Sequence, residues 1–188
     1  MELHHEFDVP APRAETLELL LDPVRAVACM PGAALVEVTP DGVWKTTLSV
    51  KLGPVTMEFL NDVRIVVHDA EAGVARLTIS GRDRRGKGGA EATIEAAVTP
   101  TADGGTHVAM DTNVRFSGQA AQLGRPSVVD DVSRKLVSDF AAAIAEGLRH
   151  GVAPAQGPAD GLGIARAALS GAISRQFRRF ERPEGGSS

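Results

Sequence analysis

The sequence has no tyrosine, one tryptophan, six phenylalanines and one cysteine in 188 residues. A lone cysteine, Cys29, excludes an intrachain disulfide and a thiolate metal cluster, and fits a reducing compartment. No stretch approaches 18 uninterrupted apolar residues, so no membrane-spanning helix is predicted. The opening MELHHEFDVPAP has neither the basic start nor the apolar run of an export signal, and a cytoplasmic chain is expected. Positive charge is in short supply as well. A net charge of −4 and a pI near 5.7 argue against nucleic acid as the main partner. With aromatics scarce, Ala and Gly take their place, and such a core either packs tightly or leaves a hole.

What is present is ordinary for a globular chain: 43% hydrophobic and 23% charged residues,. The length suits one domain of roughly 150 residues plus a further segment. Charge divides the same way. Residues 1–150 hold 15 Lys and Arg against 21 Asp and Glu, net −6; residues 151–188 hold five Arg against three acids, net +2. An acidic body with a basic tail points to two jobs in one chain.

Alternation of polar and apolar residues marks strands. Residues 3–9 place Leu3, His5, Phe7 and Val9 on one face. Two short helices are predicted over Arg13–Leu21 and Val24–Cys29, separated by Asp22-Pro23. About six strands follow the helices, among them 43–52, 55–67, 74–82, 90–98 and 106–116, joined by short Gly/Asp turns. They predict an antiparallel meander with one solvated face. In 55–67 the inward set is Val55, Met57, Phe59, Val63, Ile65 and Val67. A long helix is predicted from Pro126 to Gly147, with Val129, Val132, Leu136, Phe140, Ile144 and Leu148 at spacings of 3 and 4. That stripe has to lie on the inner face of the sheet.

Several inward positions are small: Ala75, Gly81, Ala90, Ala92, Ala96, Thr46 and Thr112. They either leave a long apolar cavity under the helix or let the helix approach closely. If a cavity forms, its predicted lining is Leu48, Val50, Met57, Phe59, Val63, Leu77, Ile79, Ala92, Met110, Val114, Val129, Leu136 and Phe140. Asn61 is an amide on an otherwise apolar face. It serves either a buried backbone group or, with Thr46 and Thr112, the polar end of a ligand.

Neither a nucleophile motif nor metal-ligand spacing occurs, so no catalytic or metal-binding residues are predicted. The basic, glycine-rich run Gly81–Gly89 joins two strands and does not open a helix, so it lacks nucleotide-loop geometry. It reads as a hairpin loop or as a gate at the cavity rim.

Residues 151–160 (GVAPAQGPAD) read as a flexible linker, and 161–188 as a basic amphipathic tail. On a helical wheel Leu162, Leu169, Ile173, Phe177 and Phe180 share one face, with Arg175 and Arg178 opposite and Arg179 on the flank. That pattern suits a helix lying in a membrane interface; docking on a protein is the alternative.

Four blocks carry a resemblance: PAPRAETLELLLDPVRAVACMPGA (10–33), KLGPVTMEFLNDV (51–63), GKGGAEATIE (86–95) and FSGQAAQLGRPSVVDDVSRKLVSDF (116–140). In this order they resemble the CoxG family, the G subunits of carbon monoxide dehydrogenase, within the START-like, Bet v 1-like (SRPBCC) superfamily. Leu17 departs from it, at a position where many relatives carry tryptophan. The resemblance covers residues 1–148. It implies an α+β helix-grip fold, a curved antiparallel sheet wrapped around a long C-terminal helix, with a hydrophobic ligand cavity and no catalytic apparatus. It also implies an aerobic CO dehydrogenase or related molybdenum hydroxylase as partner, and a bound prenyl quinone, menaquinone or ubiquinone. Three functions then compete. They are a carrier of a hydrophobic small molecule held at the inner face of the cell membrane, a maturation or recruitment adaptor that binds no lipid, and an enzyme of the cyclase or hydrolase type.

Overall fold

A computed structural model describes residues 1–52 and 55–150. The chain divides into two units, Met1–Ala155 and Gln156–Ser188, and the described residues all belong to the first. The predicted linker and tail lie outside them.

The elements run β1 (Glu2–Val9), α1 (Arg13–Leu21), α2 (Pro23–Cys29), β2 (Ala33–Val38), β3 (Trp44–Leu52), β4 (Val55–Asp69), β5 (Val74–Asp83), β6 (Gly88–Pro100), β7 (Thr106–Gly118), α3 (Gln119–Leu123) and α4 (Pro126–His150). Local chemistry places the helices. Asp22 ends α1 and caps α2, its carboxylate accepting from the amides of Val24 at 2.8 Å and Arg25 at 3.0 Å. Pro23 occupies the first turn, where a missing N–H costs nothing. The helix α4 runs three residues past Gly147, with Arg149 and His150 in a last turn that favours positive charge,.

All seven strands form one antiparallel sheet in the order β1-β7-β6-β5-β4-β3-β2. The pairing is that of a meander from β2 to β7, with β1 returning beside β7. The helix α4 packs on β1 and β3, the two sides of the sheet, and α1 and α2 pack against its C-terminal half. The sheet therefore holds the helix along its concave face.

Two irregularities depart from the alternation of the sequence. The register shifts between Ile65 and Val67. A bulge of this kind reverses the side on which every later residue points. Val67, expected inward, consequently pairs with Arg76 and is 44% exposed, while His68 turns in opposite Ala75. The strand β2 has no clear alternation in the sequence and is not predicted from it. It is a six-residue edge strand with its own register shift between Leu35 and Glu37, and a break in so short a strand erases its period.

Candidate ligand-binding site between sheet and helix

The core of the domain is three separate clusters. One closes the end where α1, α2 and the C-terminal half of α4 meet, around Leu19, Val98, Val108, Phe140 and Ile144. There Phe7 and Phe140 meet edge to face at 6.2 Å. A second closes the opposite end, where Met57, Phe59, Ala120 and Phe116 pack with Val128 and Val132. A third lies along β2, β3 and β4, around Val27, Trp44, Val63 and Ile65.

Between these clusters the inner face is sparsely covered. Leu48, Leu77, Ile79, Ala92, Ile94 and Thr112 point inward by the register of their strands, belong to none of the three clusters and are only half-buried. The helix shows the same pattern. Val129, Phe140 and Ile144 are buried, while Leu136 between them is half-buried and outside every cluster. Small side chains at Ala92 and Ala96, both half-buried and outside every cluster, leave the middle of the grip accessible beneath α4. A close-packed interior would show these positions fully buried.

The structure divides the predicted lining accordingly. Leu48, Leu77, Ile79, Ala92 and Leu136 surround the sparsely covered middle. Val114, paired with Ala92, and Val129 are buried beside it. Val50, Met57 and Phe59 belong to the wall at one end, Met110 and Phe140 to the wall at the other, and Val63 to the lateral cluster.

Of the three predicted polar groups, two come together. Thr46 and Asn61 are direct cross-strand partners, 7% and 8% exposed. Asn61 faces Gly81 on its other side, and a Cβ at Gly81 would stand 2.4 Å from Asn61 Oδ1. The missing side chain thus makes room for the amide. Neither the Thr46 hydroxyl nor the Asn61 amide forms a side-chain hydrogen bond among the described residues. Neither is among the polar atoms wholly cut off from solvent, so both stay free to bond to water or to a ligand that enters the middle of the grip. Thr112 lies on β7, three strands from Asn61, about 14 Å away at sheet spacing,. It is not part of the same polar group.

The predicted set lacks Ile94, which the same alternation places inward, and a second polar contact, His5 with Ser133. His5 Nε2 and Ser133 Oγ lie 3.2 Å apart across the β1–α4 seam. Burial lowers the His5 pKa from its ordinary 6.5, with Asp130 opposing and Arg134 and His4 assisting. The folded state therefore prefers the neutral ring. Its stabilising contribution is complete above pH 6.5 and is lost as the pH falls through the lowered value. On the outer face, hydrogen bonds to Asp111 and Glu6 raise His4, and its contribution runs the other way, fading as the pH rises. Urea denaturation at pH 7.5 and 5.5 should show a smaller acid loss for His5→Gln than for the wild type. Equal losses would remove His5 from the seam's energetics.

Cys29 is buried, and burial raises its thiol pKa, which disfavours the reactive thiolate. No group of three metal-ligating side chains occurs among the described residues, nor is any helix among them long and apolar enough to cross a membrane. A polar depression of about 470 Å³ lined by Asp62, Arg64, Thr78, Ser80, Glu91 and Asn113 lies on the outer face of the sheet. It is mixed in charge, and Ile79 and Ala92 of the same strands also border it.

Comparison with known proteins agrees with this architecture. Residues 6–149 match the family model for CoxG, the G subunit of carbon monoxide dehydrogenase. A conserved protein from Geobacillus kaustophilus is similar in structure at a TM-score of 0.67 and 20% identity, over 78% of this chain and 97% of that one. A START superfamily protein from Mycobacterium smegmatis is similar at 0.53 and 13%, over 79% and 97%. Ara h 8.0201 is similar at 0.51 and 20%, over 80% and 99%. No curated protein matches the sequence. The fold is the START-like, Bet v 1-like helix grip.

Proposed function

The chain belongs to the CoxG family of carbon monoxide dehydrogenase G subunits, and from that premise we propose that it binds a hydrophobic small molecule between sheet and helix and carries it without converting it. The observation that carries this reading is the sparsely covered inner face beside a buried Thr46–Asn61 pair with unused hydrogen-bonding capacity. Such a site suits a long apolar chain ending in a carbonyl. Each buried methylene contributes about 0.8 kcal/mol, and the amide N–H of Asn61 and the hydroxyl of Thr46 are both able to donate to a carbonyl oxygen. Neither group titrates near neutral pH. They are suited to holding a carbonyl, and not to moving its protons.

We read the ligand as a prenyl quinone, menaquinone or ubiquinone, because it combines these two features and because the family name points to a dehydrogenase. The partner is then an aerobic CO dehydrogenase or a related molybdenum hydroxylase. The basic amphipathic segment 161–188 attaches the chain reversibly to the inner face of the membrane. Solvent extraction of the purified protein followed by mass spectrometry tests the reading. A stoichiometric prenyl quinone supports it. An empty protein that co-purifies with a dehydrogenase favours the adaptor function instead.

Asn61→Leu separates ligand binding from architecture. Loss of one neutral hydrogen bond should weaken quinone binding by about 1 kcal/mol, roughly fivefold. The ligand-free variant should be as stable as the wild type or more so, because no protein hydrogen bond is lost and apolar burial increases. A fall of about 2 kcal/mol in thermal or urea denaturation would instead identify Asn61 as a structural amide.

A further inference from the structure

Six lysines and arginines, Lys51, Arg82, Arg85, Lys87, Arg115 and Arg125, have neither an ion pair nor a side-chain hydrogen bond among the described residues, and all six are exposed. The other cations of residues 1–150 are engaged. Arg25, Lys45, Arg64, Arg76, Arg84, Arg134, Lys135 and Arg149 pair with acids, and Arg13 donates to the carbonyls of Ala70 and Glu71.

Topology gathers the unengaged six. In the meander the β3–β4 and β5–β6 connections share one end of the sheet with the β7–α3 junction and the start of α4. Lys51 is next to last in β3, Arg82 lies at the end of β5 with Arg84–Lys87 turning into β6, Arg115 is near the end of β7, and Arg125 precedes α4. The opposite end carries the turns with Asp41, Asp69, Glu71 and Asp103. Within 82–87 the single acid is withdrawn. Asp83 is 7% exposed and its Oδ2 accepts from the amides of Arg85 and Lys87, both at 3.1 Å. The hairpin thus carries four cations, three of them unpaired and Arg84 paired with Glu58, while the rest of residues 1–150 holds 11 cations against 20 anions.

We propose that this basic end is a second membrane contact, one that turns the domain end-on to an anionic lipid surface. The inference rests on the peripheral attachment proposed above and adds an orientation to it. The cations sit on long, exposed side chains at a turn and at strand and helix ends. This arrangement suits a fluid plane whose phosphates rearrange around it. Leu60, 49% exposed and paired with Arg82, and Val55, 38% exposed, add apolar groups at the same end,. The acidic remainder is repelled by the same surface, so only one end of the domain faces it.

Three cations alone hold a protein weakly, and their effect is therefore read in the full chain. Vesicles of phosphatidylglycerol and phosphatidylcholine serve as the probe at low salt, with pure phosphatidylcholine as reference. Each neutralised cation should cost about fivefold in partition. Arg82→Gln, Arg85→Gln and Lys87→Gln together should cost on the order of a hundredfold and make the salt dependence shallower. The same net charge removed elsewhere, by Arg64→Gln, Arg76→Gln and Arg149→Gln, should cost no more than a few-fold. Equal effects of the two triples overturn the proposal, as does unchanged vesicle binding by the hairpin triple with lost retention on a dehydrogenase. A hairpin triple that binds like the wild type while a tail variant does not leaves the tail standing and removes the hairpin. A full chain that ignores anionic vesicles removes both.

Discussion

Ala92→Trp should leave the domain folded and nearly empty of ligand. Ala92 lies at the centre of the inner face, paired with Ile79 on one side and Val114 on the other. It is half-buried and outside all three packed clusters. In a filled core an indole in place of a methyl group forces displacements that cost about 1–3 kcal/mol or more. Under the sparsely covered part of the grip it enters accessible space, and it occupies the volume an apolar chain would need. A ligand burying roughly ten methylenes gains about 8 kcal/mol gross, a micromolar scale before ordering costs. Losing half of that contact weakens retention on the order of a thousandfold. Extracted lipid, measured by mass spectrometry against protein, should fall to background while the thermal midpoint moves by a few degrees at most. Undiminished lipid in the folded variant rules out this cavity as the ligand site. Outright unfolding means that the middle of the grip is packed, and Ala92→Leu then tests the same point with a smaller intrusion.

The second large effect concerns residues 161–188. A chain truncated after Gly151 should lose most of its co-sedimentation with anionic vesicles at low salt. Leu162, Leu169, Ile173, Phe177 and Phe180 would each contribute up to roughly 1.5–3 kcal/mol if fully buried. An interfacial helix buries them partly, and ordering its backbone costs about 1 kcal/mol or more per residue. Arg175, Arg178 and Arg179 add about 1 kcal/mol each beside anionic lipid. These contributions nearly cancel, which gives the weak, salt-sensitive attachment that a shuttle requires. Phe177→Glu should therefore abolish binding by the full chain. Replacing the three arginines with glutamine should weaken it and flatten its salt dependence. Sedimentation of the truncated protein at wild-type levels would show that the tail is not the anchor.

Much of the architecture was legible in the sequence because it depends on local periods. Alternation is a property of one strand at a time, so β1 and β3 to β7 were each readable, as was α4 from its apolar spacing and Pro126. The resemblance blocks placed these elements in a helix grip. What failed locally was whatever interrupts a period, namely the edge strand β2, the five-residue α3 and the bulge that turns Val67 outward. The inward set as a whole was also readable, but not which of its members pack. Leu77 and Met110 are alike in pattern, yet Met110 lies against the end cluster and Leu77 does not, because that depends on which helix crosses above each. The pairing of Thr46 with Asn61, and of Asn61 with Gly81, rests on the register of three strands. A shift of one residue would have separated the amide from the space it needs. Thr112, of the same chemical type, was left three strands away. The cations show the same division. The sequence displays the charge of the Gly81–Gly89 hairpin, but only the folded sheet pairs eight other lysines and arginines with acids and leaves six unpaired at one end. Composition and period act between neighbours in the chain, whereas a site is made by contacts between residues far apart in it.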